Sequence, residues 1–565
     1  MIRPGYIAGA FLALAGILLP TDATIEFLRG APVTQLEAGL REQLQLGVLL
    51  FRACLVLLGV AISVIPSLAG RSPGGSPAIQ ATNRHADLLP FPVLVIVAIA
   101  AAIRLYGLDA GLWIDEIMTY VNYANEPFGV LISTYDSQNH HILYSLFTHA
   151  SFLIFGEGAW PLRLPAVLFG VGSIYALYVF AREFVARREA VLSAALLAFS
   201  YHHVWFSQNA RGYTALLLFS LLSSWMLVRA LREQRLQLWI WYAVFAALGV
   251  YVHMTMLFMV TGHFLIFLLH RLGSGTVHWR SAGSEFLAGF CMAGLITLTL
   301  YSLVLPQLLG GTYMEGVQTT IETWTNPIWT ILEVFRNLQI GFAGSLVAVI
   351  ACIIFTVGLY RFFREQPLVA QLLIVPAAVT ICVILLLGHP LFPRSFFFLM
   401  GFGVMIVIRG MLVLGQAGAR LVRLQSIDPA MPGTVLCIAL IAVSTLSVPL
   451  AYAPKQDFTG ALDYVRQQAT ENDAVVTAGV AAMTYHRFYD VEWPVTETVE
   501  ELADVRAGSR RTWFVYTMPL HMMSAYPELW TSLEDEFTIM QSFHGTLGDG
   551  TIFVAMSDKP PAGTP

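Results

Sequence analysis

Residues 88–106, LLPFPVLVIVAIAAAIRLY, are apolar along nearly their whole length and lead directly into the polar segment 107–116, GLDAGLWIDE. A helix that crosses a bilayer needs about 20 mostly apolar residues, so this run is long enough to span one. The chain has 565 residues, of which 57% are hydrophobic and only 12% charged. A soluble domain carries about 25% charged residues. The composition therefore excludes a cytosolic globular protein, a disordered chain and a basic-patch nucleic-acid binder, and it indicates an integral membrane protein.

Apolar runs of this kind recur along the chain and predict an α-helical polytopic membrane protein with about 13 transmembrane helices. The predicted spans are residues 5–20, 44–66, 88–106, 164–182, 190–206, 213–230, 238–252, 255–270, 285–305, 342–361, 367–388, 395–415 and 433–452. The first run could also be a signal sequence. Because no small-x-small cleavage site follows it, we expect it to stay as an anchor.

The arginines predict which ends of the spans face the cytoplasm. If the spans alternate in direction, every arginine cluster falls on one side of the membrane: Arg71 and Arg84; Arg182, Arg187 and Arg188; Arg229, Arg232 and Arg235; Arg271 and Arg280; Arg361 and Arg364; Arg420 and Arg423. Loops with an excess of Lys and Arg stay in the cytoplasm. We therefore expect a cytoplasmic N-terminus and an extracytoplasmic C-terminal domain.

Composition divides the chain into four parts. Residues 1–66 are predicted to form a two-helix membrane appendage, and residues 67–87, rich in Gly, Pro and Ser, a cytoplasmic linker. Residues 88–452 form the main transmembrane domain, with a long outer loop at 107–163. Within that loop, residues 142–155 are apolar but too short to span, so we expect them to lie as a helix at the outer interface.

The last part, residues 453–565, is polar and carries 16 acidic against 7 basic residues. Its alternation of short strand patterns and helical patterns predicts a small extracytoplasmic α/β domain. The predicted strands lie at 475–477, 513–516 and 552–555, and a predicted helix lies at 460–470.

Polar side chains gather in the predicted outer loops. They are Asp115, Glu116, His140, His141, Arg211, Tyr213, His253 and Arg394. Each has a structural explanation when taken alone, such as a solvated helix end, a satisfied interface histidine or an arginine that reaches the lipid headgroups. Ionisable groups at a membrane surface nevertheless mark function more often than they do in water. Their joint position on one face is therefore what indicates a functional site.

The order of three motifs resembles the GT-C membrane glycosyltransferases, in the branch of the protein O-mannosyltransferases and bacterial aminoarabinose transferases. The motifs are Trp113-Ile114-Asp115-Glu116; Arg163-Leu164-Pro165-Ala166 with Phe169-Gly170; and Ser207-Gln208-Asn209-Ala210-Arg211-Gly212-Tyr213. Pro393-Arg394-Ser395 stands where that branch often has Pro-Arg-Tyr, and Asp457-Phe458-Thr459-Gly460-Ala461 opens the outer domain as a related segment does in bacterial members. The resemblance covers roughly residues 88–480, so residues 88–452 would be the GT-C-like catalytic domain.

The resemblance implies an inverting transferase that moves a sugar from a polyprenyl-phosphate carrier to an acceptor hydroxyl on the outer face of the membrane. Asp115 matches the acidic residue of the family and is the candidate base that takes the acceptor proton. Glu116 would orient Asp115 or, with His140 or His253, hold a divalent metal; whether a metal takes part is left open. His141 stands beside His140 as a further candidate for a metal or acceptor site.

A lipid phosphate leaves in this reaction, and its charge must be stabilised as it departs. Arginine binds phosphate through two parallel hydrogen bonds and stays charged. Arg211 and Arg394 are therefore the candidate phosphate ligands, with Tyr213 as a hydrogen-bond donor. Ser395 stands where the family usually has a tyrosine after the arginine, so the likeness at Arg394 is weaker. Residues 138–141 stand where many members have a His-Pro-Pro stretch, and that leaves open which histidine matters.

Two other functions fit a membrane protein with these features. A transporter or flippase of a lipid-linked sugar often shows internal repeats and broken midplane helices, and no repeat is evident here. A non-catalytic assembly protein would use the C-terminal domain to bind a partner. The motifs select neither the sugar nor the acceptor, which could be a glycan, a lipid or a protein. The resemblance and the arginine-rich composition suggest the plasma (inner) membrane of a bacterium, with membrane lipids as neighbours and no nucleic-acid partner.

Overall fold

The computed structural model describes residues 4–68, 90–137, 139–233, 235–273, 279–310, 341–388, 391–422, 428, 430–547 and 550–558. The predicted linker at 67–87 lies outside the described residues, apart from its first two positions.

Helices make up most of the described residues before the last 113, as the apolar runs predict. They are α1 (Pro4–Leu18), α2 (Thr21–Arg29), α3 (Ala38–Leu68), α4 (Phe91–Leu105), α5 (Ile114–Thr119), α6 (Phe128–Ser133), α7 (Ile142–Phe155), α8 (Ala159–Ala181), α9 (Arg187–Ala198), α10 (Tyr201–Ser207), α11 (Tyr213–Glu233), α12 (Leu236–Val252), α13 (Met256–Gly273), α14 (Trp279–Phe286), α15 (Met292–Tyr301), α16 (Leu305–Leu309), α17 (Gly341–Glu365), α18 (Pro367–Leu386), α19 (Met400–Leu421) and α20 (Met431–Ser447). Tyr120–Ala124 and Leu287–Cys291 are π-helical turns, and Val33–Gln35, Pro393–Leu399 and Val448–Tyr452 are 3-10 turns.

Nine helices among the described residues are long and apolar enough to cross a bilayer, or eleven if each of two bent helix pairs is one span. The pairs are Gly5–Leu18 with Thr21–Arg29, bent by 93°, and Arg187–Ala198 with Tyr201–Ser207, bent by 59°. Two further predicted spans coincide with shorter apolar helices, Phe91–Leu105 and Leu236–Val252. The polytopic helical fold is confirmed, whereas the count of thirteen spans is not.

The bend between α9 and α10 exposes backbone carbonyls inside the helix bundle, and Arg104 of α4 satisfies one of them. Its Nη2 donates to the Ala198 carbonyl over 2.9 Å, and its Nε donates to the Ser207 hydroxyl over 3.1 Å. The Arg104 side chain is fully buried. A free carbonyl in such surroundings costs several kcal/mol. Arg104 therefore stabilises the bend and fixes the position of the segment that follows α10.

The C-terminal part folds as the predicted α/β domain. Its helices are α21 (Phe458–Gln468), α22 (Gly479–Arg487), α23 (Val499–Ala507), α24 (Pro519–Ala525) and α25 (Pro527–Glu536). Its strands are β1 (Ala474–Thr477), β2 (Thr512–Thr517), β3 (Thr538–Phe543) and β4 (Ile552–Ser557), in the spatial order β1-β2-β4-β3. The pair β1–β2 is parallel, and the other two pairs are antiparallel.

The three predicted strands and the predicted helix of this domain all form, and β3 was missed. β2 is buried along its whole length, so its sequence is a continuous apolar and aromatic run. β3 lies at the edge of the sheet, and most of its side chains are exposed. An edge strand that buries little has no alternation of apolar and polar residues to reveal it.

Candidate active site

The site begins at α5, which lies within the loop at residues 107–163. Trp113 precedes the helix, and Asp115 and Glu116 lie in its first turn. The Trp113 indole N–H donates to the Asn209 side-chain oxygen over 3.1 Å, which joins this loop to the turn after α10. The two motifs that stand almost a hundred residues apart in the sequence are therefore in direct contact.

Glu116 is completely buried and ionically paired with Arg163. The Arg163 guanidinium donates to Oε1 over 2.7 Å and to Oε2 over 2.6 Å. The backbone N–H of Ala210 also donates to Oε1, over 2.8 Å. Burial alone would raise the pKa of Glu116, but the nearby charges of Arg163 and Lys455 hold it below its usual value. Glu116 is thus an ionised carboxylate whose two oxygens are both taken by protein donors.

Arg163 extends this contact to the backbone of the outer loop. Its Nη1 donates to the carbonyls of Leu108 over 2.8 Å and Ala110 over 2.7 Å, and its Nη2 donates to that of Gly111 over 2.9 Å. One guanidinium therefore fixes the segment just before α5 and, through Glu116, the turn at Ala210.

Asp115 has different surroundings, although it is the next residue. Its side chain is 23% exposed, and its Oδ2 lies 3.8 Å from the Nε of Arg211. Among the described residues no group donates a hydrogen bond to its carboxylate; only its backbone carbonyl is used, by Thr119 and Asn139. Asp115 therefore keeps a carboxylate free to accept a proton or a hydrogen bond.

Arg211 lies beside Asp115, is nearly buried, and is hydrogen-bonded to Asn139. Its Nη1 donates to the Asn139 carbonyl over 3.0 Å and also to the Asn139 side-chain oxygen. Its Nε is buried and makes no hydrogen bond in the described part of the chain. A guanidinium has five N–H donors, so Arg211 retains donors for an anion.

His141, His253 and Tyr213 form a cluster of rings next to Arg211. The centroid distances are 4.6 Å for His141 to His253 and 5.1 Å for Tyr213 to His253. The Nδ1 of His141 lies 2.9 Å from the Val252 carbonyl, which can only accept, so this nitrogen carries the hydrogen. Its Nε2 then bears a lone pair, and it is buried without a partner among the described residues.

Burial and the positive charge of Arg211 lower the pKa of both histidines of this cluster. The pKa of His253 falls to about 3, with a further contribution from Arg394, and that of His141 falls well below its usual value. Both imidazoles are therefore neutral at physiological pH, and they act as hydrogen-bonding groups rather than as cations.

His140 contacts a different group of residues from His141. Its ring stacks on Tyr123 at 4.0 Å, and its Nδ1 lies 3.0 Å from the Thr134 carbonyl. The Tyr123 hydroxyl in turn donates to Asp136 over 2.6 Å. Burial lowers the pKa of His140 to about 4. The two adjacent histidines thus belong to different groups of contacts.

Arg394 lies at the start of the turn Pro393–Leu399, exposed, with its guanidinium 4.6 Å from the ring centroid of Phe392. Its charge reaches His253, as the lowered pKa of that residue indicates. Arg394 is therefore near the cluster of rings but outside the buried contacts of Arg211.

The described residues hold no group of three or more His, Cys, Asp and Glu side chains placed to bind a metal ion. Both oxygens of Glu116 accept hydrogen bonds, from Arg163 and from the Ala210 backbone. The ring of His140 contacts the Thr134 carbonyl, whereas that of His141 contacts the Val252 carbonyl. The arrangement of these side chains thus does not fit the metal set of Glu116 with His140 or His253.

Lys455 also belongs to the site, although none of the sequence motifs points to it. Its Nζ is buried and donates to the Gln208 carbonyl over 2.7 Å, at 5.2 Å from the Trp205 ring centroid. Burial lowers its pKa to about 7, against the attraction of Glu116. One signal was present in the sequence: it is one of two lysines in the chain and follows the last span by only a few residues.

Comparison with known proteins gives a family match over part of the chain. Residues 139–304 match the family described as dolichyl-phosphate-mannose-protein mannosyltransferase. The chain is also 24% identical over 209 residues to YkcB of Bacillus subtilis (strain 168), for which mannosyltransferase activity has been proposed. That alignment covers 34% of this chain and 27% of the relative, so this chain spans about a quarter of the relative's length.

Two solved structures are similar to this chain in fold, at low sequence identity. ArnT from Cupriavidus metallidurans bound to undecaprenyl phosphate has 12% identity and a TM-score of 0.47, covering 84% of this chain and 99% of that one. The archaeal oligosaccharyltransferase AglB from Archaeoglobus fulgidus has 11% identity and a TM-score of 0.45, covering 83% and 74%. The resemblance to membrane glycosyltransferases that the motifs indicated is confirmed by the family match.

Proposed function

We propose that this protein is a membrane glycosyltransferase that moves a sugar from a polyprenyl-phosphate carrier to an acceptor hydroxyl on the outer face of the membrane. The observation that carries the proposal is the pair formed by Asp115 and Arg211. An accessible carboxylate lies 3.8 Å from a buried arginine with an unused N–H. The mannosyltransferase family match covers both Arg211 and Asn139, the residue to which Arg211 is hydrogen-bonded.

The two residues suit the two chemical events of the reaction, which are removal of the acceptor proton and departure of the phosphate. The acceptor oxygen attacks the anomeric carbon of the sugar, and the bond from that carbon to the phosphate oxygen breaks. The hydroxyl proton goes to the Asp115 carboxylate, which acts as general base. The electron pair of the broken bond leaves with the polyprenyl phosphate, whose charge the Arg211 guanidinium stabilises. Attack opposite the leaving phosphate inverts the anomeric configuration.

The neighbouring groups take supporting roles in this proposal. Glu116 and Arg163 keep the start of α5 against the turn at Ala210, and so fix Asp115 relative to Arg211. Arg394 adds positive charge on the side of His253, where it would attract the phosphate during binding. His141, with its lone pair on Nε2, can accept a hydrogen bond from a hydroxyl of the sugar or acceptor.

The test measures transfer of labelled sugar from polyprenyl phosphate in membranes that contain wild type, Asp115→Asn or Arg211→Ala. We expect Asp115→Asn to lose about 10²–10⁴-fold in rate, as general bases do. Arg211→Ala should lose a similar factor, because the departing charge then lacks its donor. Asp109→Asn is the matched control, since Asp109 is an exposed acid in the same loop.

A rate for Asp115→Asn equal to that of wild type, with the same yield of folded protein, would reject Asp115 as the base. If wild type removes sugar from no member of a panel of polyprenyl-phosphate sugars, the proposed function is wrong, and a transporter becomes the better explanation of the same polar face.

A further inference from the structure

The N-terminal unit, residues 4–68, contacts the loop that carries part of the candidate site. α1 and α3 pack so closely that a Cβ on either Gly9 or Gly59 would collide with the backbone carbonyl of the other glycine. Small residues allow such close approach of helices in membranes. Between them α2 turns by 93° from α1 and lies across the end of the pair. This places α2 beside α6 of the outer loop.

The contact between α2 and α6 is both apolar and polar. Ile25 and Leu28 of α2 are buried, and Ile132 of α6 packs against the same cluster. A Cβ on Gly129 of α6 would meet the backbone of Leu28, so the two helices touch closely. α6 is a single six-residue helix, too short to be stable alone in water. It therefore depends on neighbours of this kind for its position.

Arg29, at the end of α2, binds the end of α6. Its Nη2 donates to the Ser133 carbonyl over 2.7 Å, and its Nη1 donates to the Thr134 hydroxyl over 3.1 Å. A cation at a helix C-terminus satisfies carbonyls that have no partner within the helix and interacts favourably with the helix dipole. Gln307 also donates to the Ser133 carbonyl, over 2.7 Å.

The same short segment leads to the residues that hold Arg211. The Thr134 carbonyl lies 3.0 Å from Nδ1 of His140. Asn139, the residue before His140, accepts two hydrogen bonds from Arg211. Arg29 is thus linked to Arg211 through Thr134, His140 and Asn139.

We propose that Arg29 is a positioning residue of the candidate site: through Ser133 and Thr134, the N-terminal unit fixes Asn139 so that Asn139 can hold Arg211 beside Asp115. Its effect on catalysis rests on the proposed transferase function. The effect of Arg29 on the geometry of the loop is independent of that function, because it follows from the contacts alone. Residues 4–68 are then part of the working enzyme rather than a separate anchor.

The first experiment is independent of activity. Backbone hydrogen exchange is measured on the full chain in lipid nanodiscs for wild type, Arg29→Ala and Arg41→Ala. Arg41 is the matched control, an arginine of the same unit whose side chain makes no hydrogen bond to the loop among the described residues. We expect Arg29→Ala to speed exchange at Tyr135 and His140 about tenfold while α8 and α11 stay protected. Unchanged exchange at these amides would overturn the proposal.

The second experiment measures transfer for Arg29→Ala, Arg211→Ala and the double variant. Arg29→Ala alone should lower kcat roughly ten- to hundredfold, because small displacements of a positioned group have effects of this size. If Arg29 acts through Arg211, its loss should add little once Arg211 is gone, whereas a general loss of folding would add in full. Fully additive effects would overturn the proposal.

Thr134→Val provides a variant that keeps Arg29 and its bond to Ser133. It should reproduce part of the exchange and rate effects, and a wild-type result would contradict the path through Thr134. An inactive wild type would reject the transferase function only, because the exchange experiment would still decide whether Arg29 fixes the loop.

Discussion

At the scale of single residues, two adjacent carboxylates have opposite surroundings. Glu116 has no exposed surface and pairs with Arg163, whereas Asp115 is 23% exposed. Neighbouring residues on a helix point in directions about 100° apart, so one can face the protein interior and the other a solvent-filled site. The sequence predicts that this acidic pair is functional, but it does not show which member is buried. That depends on Arg163, which is 47 residues away.

Glu116→Gln should therefore destabilise the fold, and Asp115→Asn should not. Removal of one partner of a buried ion pair costs about 3–5 kcal/mol, because the other charge is left without compensation. Thermal unfolding in detergent should show a clear loss for Glu116→Gln and wild-type behaviour for Asp115→Asn. Glu42→Gln is the control, because Glu42 is exposed on α3 and its side chain makes no hydrogen bond among the described residues. Equal stability of Glu116→Gln and wild type would contradict a structural role for Glu116.

At the scale of elements, the apolar runs were sufficient to locate the helices but not their breaks. The predicted span 190–206 covers both helices of a bent pair, because hydropathy records the apolar length and not the direction of the axis; the predicted span 5–20 covers only the first helix of the other pair. The polar partners that stabilise a bend come from elsewhere in the chain. Arg104, for example, lies in α4 and binds a carbonyl at the end of α9.

Arg104→Met should disturb the bend and with it the turn that holds Arg211. The substitution leaves the Ala198 carbonyl without its side-chain donor, at a cost of about 1–3 kcal/mol. The Ser207 hydroxyl loses one hydrogen bond but keeps its bond to the His203 carbonyl. We expect a lower thermal midpoint and slower sugar transfer. Arg229→Met serves as the control, because Arg229 pairs locally with Glu233 at the far end of α11. A variant as stable and as active as wild type would show that the bend needs no such partner.

At the scale of the whole molecule, the C-terminal domain is connected to both loops of the candidate site. Ile114, just before Asp115, donates its backbone N–H to the Gln456 side chain over 3.0 Å. Lys455 binds the Gln208 carbonyl, and Trp205 donates to the Thr546 hydroxyl over 2.8 Å. The arginine pattern predicts that this domain lies on the outer side. The sequence could not show these contacts, because they join segments more than 240 residues apart.

Lys455 makes this connection sensitive to pH. Its pKa of about 7 means that the ammonium loses its proton as the pH rises through neutrality, and Glu116 then loses one of its two nearby cations. We therefore expect sugar transfer by wild type to fall between pH 6.5 and 8.5. Lys455→Arg should stay active over that range, because a guanidinium remains charged. Arg510→Lys, at an exposed position of the same domain, should follow the wild-type profile. Identical profiles for wild type and Lys455→Arg would show that the charge at position 455 does not control the site.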